Sequence, residues 1–186
     1  LAWTVTERDS SSARVLAATT PKAALVNQLE ALKEARLEPR VMTSAAGALV
    51  ELLPAEAPGQ VGVLCLGEGE SHFALVRDGE LEFARSIRAG LNSVTSSVVQ
   101  ATKAEREEAK GLVTELGFDR HAGPDLALTE GIERGLKPIV SGVFTTLKAV
   151  DGGVVPNCVY LTGALSRMPG LVDYLTGALS CEVRIL

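Results

Sequence analysis

Aromatic residues are scarce in this chain: four Phe, two Tyr and one Trp in 186 residues. Packing must therefore fall to Ala, Val and Leu, within a hydrophobic content of 46% that is ordinary for a globular chain. No apolar run approaches the ~20 residues of a membrane span, and no signal peptide opens the sequence. The first residue is Leu instead of Met, which suggests a fragment of a longer chain. The three cysteines, Cys65, Cys158 and Cys181, are odd in number and far apart. That pattern fits reduced cytosolic thiols and excludes a zinc motif. The two histidines, His72 and His121, sit in no Ser/His/Asp or metal-ligand pattern, so the sequence offers no catalytic set and no metal site. Basic clusters are also missing. With a net charge of -5, the chain is not a nucleic-acid binder.

What is present alternates between strand and helix signals, the pattern of an α/β layered fold. Residues Trp3 to Thr6 and Arg14 to Ala18 read as short strands. Thr20-Pro21 reads as a helix start, with Thr as cap, and Leu25, Leu29 and Leu32 form an apolar stripe expected to be core. Arg40 to Thr43 is a candidate strand, and a short helix is expected from Ser44 to Leu53. The stretch from Pro54 to Gly59 then reads as a linker. Beyond it, Val61 to Leu66, Phe73 to Arg77 and Leu81 to Ile87 form a β-meander, with Asp78-Gly79 as its hairpin turn. Helices are expected over Val94 to Ala101 and Glu105 to Leu116. A long helix is expected over Leu126 to Val150, kinked or broken at Pro138. A buried strand at Cys158, a glycine-rich loop from Gly163 to Gly170, a helix over Leu171 to Leu179 and a last strand from Glu182 complete the chain.

Two segments go beyond a generic α/β pattern. One is Val61-Gly-Val-Leu-Cys65-Leu-Gly67-Glu-Gly69-Glu-Ser71, followed by the Asp78-Gly79 hairpin and Ile87-Arg-Ala-Gly90-Leu-Asn92-Ser-Val-Thr95. The other is Val159-Tyr-Leu-Thr162-Gly163-Ala164-Leu-Ser166-Arg-Met-Pro169-Gly170. Their order and separation resemble the second half of the actin-like ATPase superfold. The nearest likeness is to the family of the pilus-assembly protein PilM and the cytoplasmic domain of the secretion protein GspL, with FtsA more distant. The resemblance implies a second actin-like (ribonuclease H-like) lobe at 61–186 and a linker at 54–60. It implies a small α/β inserted subdomain at 1–53, with the first lobe missing from this chain.

In working members of that family the first motif carries an Asp where this chain has Cys65. The resemblance thus implies a nucleotide site built on Gly67, Gly69, Ser71, Gly163, Ala164 and Ser166, and a vestigial one. A neutral thiol is a poor Mg²⁺ ligand, since Mg²⁺ takes hard oxygens. Glu68 and Glu70 add negative charge beside any phosphate, and Ala164 replaces a glycine of close approach. A family segment that carries Glu and Lys toward the base has Lys110 and Val113 here. The implied function is a cytoplasmic, non-enzymatic scaffold on the inner-membrane platform of a type IV pilus or type II secretion machine. Its partners would be membrane-anchored platform proteins and the motor ATPase. Its location would be peripheral to the bacterial inner membrane, through those partners or an adjoining membrane helix. No cofactor is expected unless ATP with Mg²⁺ still binds. The alternatives are an active ATP-binding member of the superfold or an FtsA-like filament protein.

Overall fold

The computed structural model describes residues 2–54, 57, 59–118, 126–150, 153 and 155–186. His121 lies outside them. The chain divides into two compact units, Leu1–Ala45 and Ala46–Leu186.

The first unit holds a two-stranded antiparallel sheet, β1 (Ala2–Arg8) and β2 (Ala13–Ala18), and helix α1 (Lys22–Glu34). Asp9 makes the turn between the strands. The Ser12 hydroxyl donates to its Oδ2 at 2.7 Å, and the backbone N–H groups of Ser11 at 2.6 Å and Ser12 at 2.7 Å donate to its Oδ1, which together hold its carboxyl well below the usual carboxylate range. Helix α1 begins one residue later than expected. Pro21 is its N-cap, and the Pro21 carbonyl, not a Thr20 side chain, receives the first amides. The apolar stripe is not core. Leu25 and Leu32 are half-buried, Leu29 is exposed, and α1 has no buried residue. A two-stranded sheet offers too little apolar area to cover a helix face. Arg40 to Thr43 forms no strand.

The second unit is built on a five-stranded mixed sheet, separate from the first. In chain order its strands are β3 (Gln60–Leu66), β4 (Ser71–Arg77), β5 (Glu80–Ile87), β6 (Cys158–Gly163) and β7 (Glu182–Ile185). In space they run β5-β4-β3-β6-β7. The first three pair antiparallel, and β6 and β7 join parallel to β3. Asp78 and Gly79 both have positive φ, as a type I′ turn between β4 and β5 requires.

Side chains alternate between the two faces of this sheet. Leu64, Leu66, Phe73, Leu75, Val159 and Leu161 face the main core. There they meet α3 (Leu91–Thr102), α5 (Leu126–Ala149) and α6 (Leu171–Leu179). Val61, Val63, Ala74, Val76, Cys158 and Tyr160 face the other way, into a smaller cluster with Ala46 and Leu49 of α2 (Ala45–Val50). Helix α2, read from sequence as part of the first segment, thus contributes to the core of the second unit.

Two helices differ from expectation. Helix α5 runs unbroken through Pro138, an exposed position. Helix α4 (Arg106–Gly111) passes into a π-helical turn at Leu112–Leu116, closed by the Gly117 amide donating to the Leu112 carbonyl at 2.9 Å. Gly117 has φ +51°, and a Cβ there would strike the Pro169 carbonyl. Phe118 then donates its amide to Pro169 at 2.9 Å and stacks on Tyr174, with ring centroids 4.8 Å apart.

Candidate nucleotide-type site

The two glycine-bearing loops come together because β3 and β6 are adjacent and parallel. Leu66 pairs with Gly163, so both loops leave the same end of the sheet. Gly163 has φ +94°, and a Cβ there would collide with the backbone of Leu66. Gly67 is similarly confined, by the carbonyl of Glu70. Gly69 is exposed and meets nothing, so its side of the loop is open.

The hydroxyls of the site turn inward. Ser71 is buried and donates to the Ala89 carbonyl at 2.7 Å. Ser166 is buried and donates to the Gly163 carbonyl at 2.8 Å. Both brace loops. Ala164 is exposed at the start of its loop, while Val113 is wholly within the core and Lys110 is exposed on α4.

The β3–β4 loop is fixed by the helix behind it. The amides of Leu91 and Asn92 donate to the carbonyls of Gly67 at 3.0 Å and Glu68 at 2.8 Å. These loop carbonyls do the work of a side-chain cap at the start of α3. A Cβ on Gly90 would strike both carbonyls, so only glycine allows the approach. A trans peptide sets its C=O and the following N–H on opposite sides. With the carbonyls of Gly67 and Glu68 turned to α3, the amides of Glu68 and Gly69 are directed away from it.

On the sheet face opposite α3, the residues level with this loop form a polar row across four strands. Cys65 pairs with Thr162 on one side and His72 on the other, and His72 pairs with Ser86. Cys65 is half-buried, and burial pushes its thiol above the ordinary value of 9.0, so it stays neutral near pH 7. His72 Nδ1 lies 3.0 Å from Ser86 Oγ, and its Nε2 lies 3.4 Å from Glu70 Oε1. Sequence reasoning missed this chain of contacts. The only signal for it was the register that brings residues 65, 72 and 86 side by side.

Cys65 offers no hard oxygen, Glu68 and Glu70 stand exposed on the loop, and the only hydroxyls on the two loops, those of Ser71 and Ser166, are engaged with backbone. Among the described residues, no group of three or more His, Cys, Asp or Glu side chains is placed to hold a metal ion.

No family model and no curated protein matches the chain. Solved structures do. The chain is similar to the PilM-PilN type IV pilus biogenesis complex, at 20% identity and a TM-score of 0.66, over 88% of this chain and 47% of that one. It is also similar to MreB5 of Spiroplasma citri bound to AMPPNP, at 14% identity and 0.71, over 89% and 60%. The third likeness is to the ethanolamine utilization protein EutJ from Carboxydothermus hydrogenoformans, at 18% identity and 0.65, over 84% and 54%.

The fold is actin-like.

This chain spans 47% to 60% of the lengths of those three actin-like relatives, as one lobe of such a fold does. Identities of this size carry the fold alone.

Proposed function

We propose that this chain is part of a cytoplasmic actin-like scaffold on the inner-membrane platform of a type IV pilus or type II secretion machine, with a degenerate nucleotide site. The observation that carries the reading is the polar row beneath the β3–β4 loop. Cys65 in that row is a neutral thiol at the position where the resemblance implies a Mg²⁺-directing carboxylate, and the neighbouring loop bears two glutamates. A chain of this fold without that chemistry works by surface complementarity. The likeness to a PilM-PilN complex supports a membrane-anchored pilus component as partner, and the motor ATPase is a second candidate. No helix among the described residues is long and apolar enough to cross a membrane, so membrane attachment would come through such a partner or through an adjoining segment.

An active nucleotide-binding member is the second reading, favoured by the likeness to MreB5 structures bound to AMPPNP and ADP. Calorimetric titration of the full-length protein with Mg-ATP separates the two. The scaffold reading expects no binding tighter than about 1 mM, a free energy near 4 kcal/mol. Micromolar binding with turnover would overthrow it.

A further inference from the structure

We propose that the outer edge of β5 is a docking site for an extended segment of another protein that carries a carboxylate opposite Arg85. The partner adds a strand to the sheet, and the Arg85 guanidinium takes its Asp or Glu side chain. Such docking is independent of whether a nucleotide binds.

Strand β5 ends the order β5-β4-β3-β6-β7, so among the described residues no strand lies along its outer edge. A row of unpaired backbone donors and acceptors is a template for a further strand. The two edges of the sheet differ in protection. Strand β7 is four residues long, and its Glu182 and Arg184 pair at 2.8 Å. Strand β5 is eight residues long. Its one irregularity lies between its pairings with Leu75 and Val76, toward the hairpin turn. From Phe83 to Ile87 the register is unbroken, and no Lys or Pro blunts it.

Arg85 sits in the middle of that stretch. It faces α5, as does its partner across the ladder, Phe73, which belongs to the main core. Its Nε donates to Thr146 Oγ1 at 2.8 Å, and the Thr146 hydroxyl donates to the Gly142 carbonyl at 3.0 Å. Thr146 is wholly buried, and a Cβ on Gly142 would meet Ile87 Cδ1 at 2.7 Å. The guanidinium is thus held against a helix packed directly on the strand. Among the described residues it makes no ion pair, and its Nη1 and Nη2 have no partner. A half-buried, oriented guanidinium with both terminal nitrogens open presents the fork that a carboxylate fills.

The charge selects the occupant. Residues directly opposite in an antiparallel pair share a face, with Cβ atoms about 5 Å apart. An acid opposite Arg85 reaches its fork, and the segment's side chains two residues away lie beside Phe83 and Ile87, where apolar groups suit. A second copy of this chain supplies no such acid. On the face toward α5, the unbroken part of β5 offers only Phe83, Arg85 and Ile87, and Glu80 lies beyond the irregularity, out of step with them.

The test uses the full chain and a synthetic peptide that alternates Val and Thr, with one central Glu in place of a Val. Its controls are the same peptide with Gln at the centre and the Glu peptide with its backbone amides N-methylated. Binding is followed by NMR titration, and β5 by hydrogen exchange. The Glu peptide is expected to bind and to slow exchange over Phe83–Ile87. Gln at the peptide's centre, or Arg85→Gln in the protein, is expected to weaken binding about tenfold, the scale of one hydrogen bond to a charged group. The two changes together are expected to weaken it little further. The N-methylated peptide is expected not to bind. Should Arg85→Gln fail to fold by circular dichroism, the peptide controls on the parent protein decide alone. No binding of the Glu peptide, equal binding of the Glu and Gln peptides, additive losses, or binding that survives N-methylation would each overturn the proposal. So would a dimer of the parent protein in sedimentation that Arg85→Gln abolishes, since a second copy would then be the occupant.

Discussion

Thr95 is 1% exposed in α3, and its hydroxyl has no hydrogen-bond partner among the described residues. A buried hydroxyl without a partner costs about 1–3 kcal/mol of desolvation. Thr95→Val keeps the branched shape and removes the polar atom, so it should stabilise the protein by about 1 kcal/mol. Urea unfolding followed by circular dichroism checks this, and a lower midpoint would show that the hydroxyl has a partner in solution. Thr95 ends the segment after Gly90 that carries the resemblance, and nothing in its residue type marks a buried hydroxyl without a partner. Cys65 was the opposite case. Its place before a Leu-Gly pair made it visible as a departure from a motif, and the structure adds its neighbours. His72 could not be read in the same way. Its partners Glu70 and Ser86 are brought to it by strand register, and register depends on loop geometry that composition does not encode.

At the scale of elements, α3 and α5 lie closely against each other because two glycines on α5 let them. A Cβ on Gly131 would meet the Val98 Cα at 2.9 Å, and one on Gly135 would meet the Val94 Cα at 2.5 Å. Both obstacles are backbone, which cannot rotate aside. Gly135→Ala should therefore destabilise the fold by about 1–3 kcal/mol through overpacking, although Ala favours an isolated helix by about 1 kcal/mol. Thermal unfolding decides the sign, and a raised midpoint would mean that the two helices can separate without loss. The strands of the meander and the long helix were legible because burial imposes a period of two or of 3.6. Of the kink or break expected at Pro138, the break does not occur. The proline ring removes one amide and crowds one carbonyl, yet the position is exposed. Water can satisfy the freed carbonyl there while the buried face, from Ile132 to Leu147, holds the helix together. The π turn at Leu112–Leu116 was equally invisible, since it answers to the contact between Gly117 and the Pro169 carbonyl across the fold.

At the scale of the whole molecule, the two units differ in how much apolar surface they enclose. The second has a continuous core on one sheet face and a smaller cluster on the other. In the first, no described residue from Val5 to Ala45 is buried. The sequence reading put a linker at 54–60, while the two compact units divide between Ala45 and Ala46. It did not show that α2 belongs with the five-stranded sheet, since Ala46 and Leu49 acquire their meaning only from Val61 and Val63 on that sheet. A two-stranded sheet with one helix is marginal by itself, and segments with little buried surface open at low free-energy cost. Cleavage that samples such openings follows their population. Brief trypsin digestion should therefore cut first after Lys22, Lys33, Arg36 or Arg40, all exposed. It should spare Arg77, Arg88, Lys103 and Lys110, which are also exposed but lie within or beside elements of the sheet unit. Mass spectrometry of the early fragments reads the order directly. Early cleavage after any of the second set would mean that the five-stranded sheet opens as readily as the hairpin. In that case the buried core would not be the source of the difference in stability between the units.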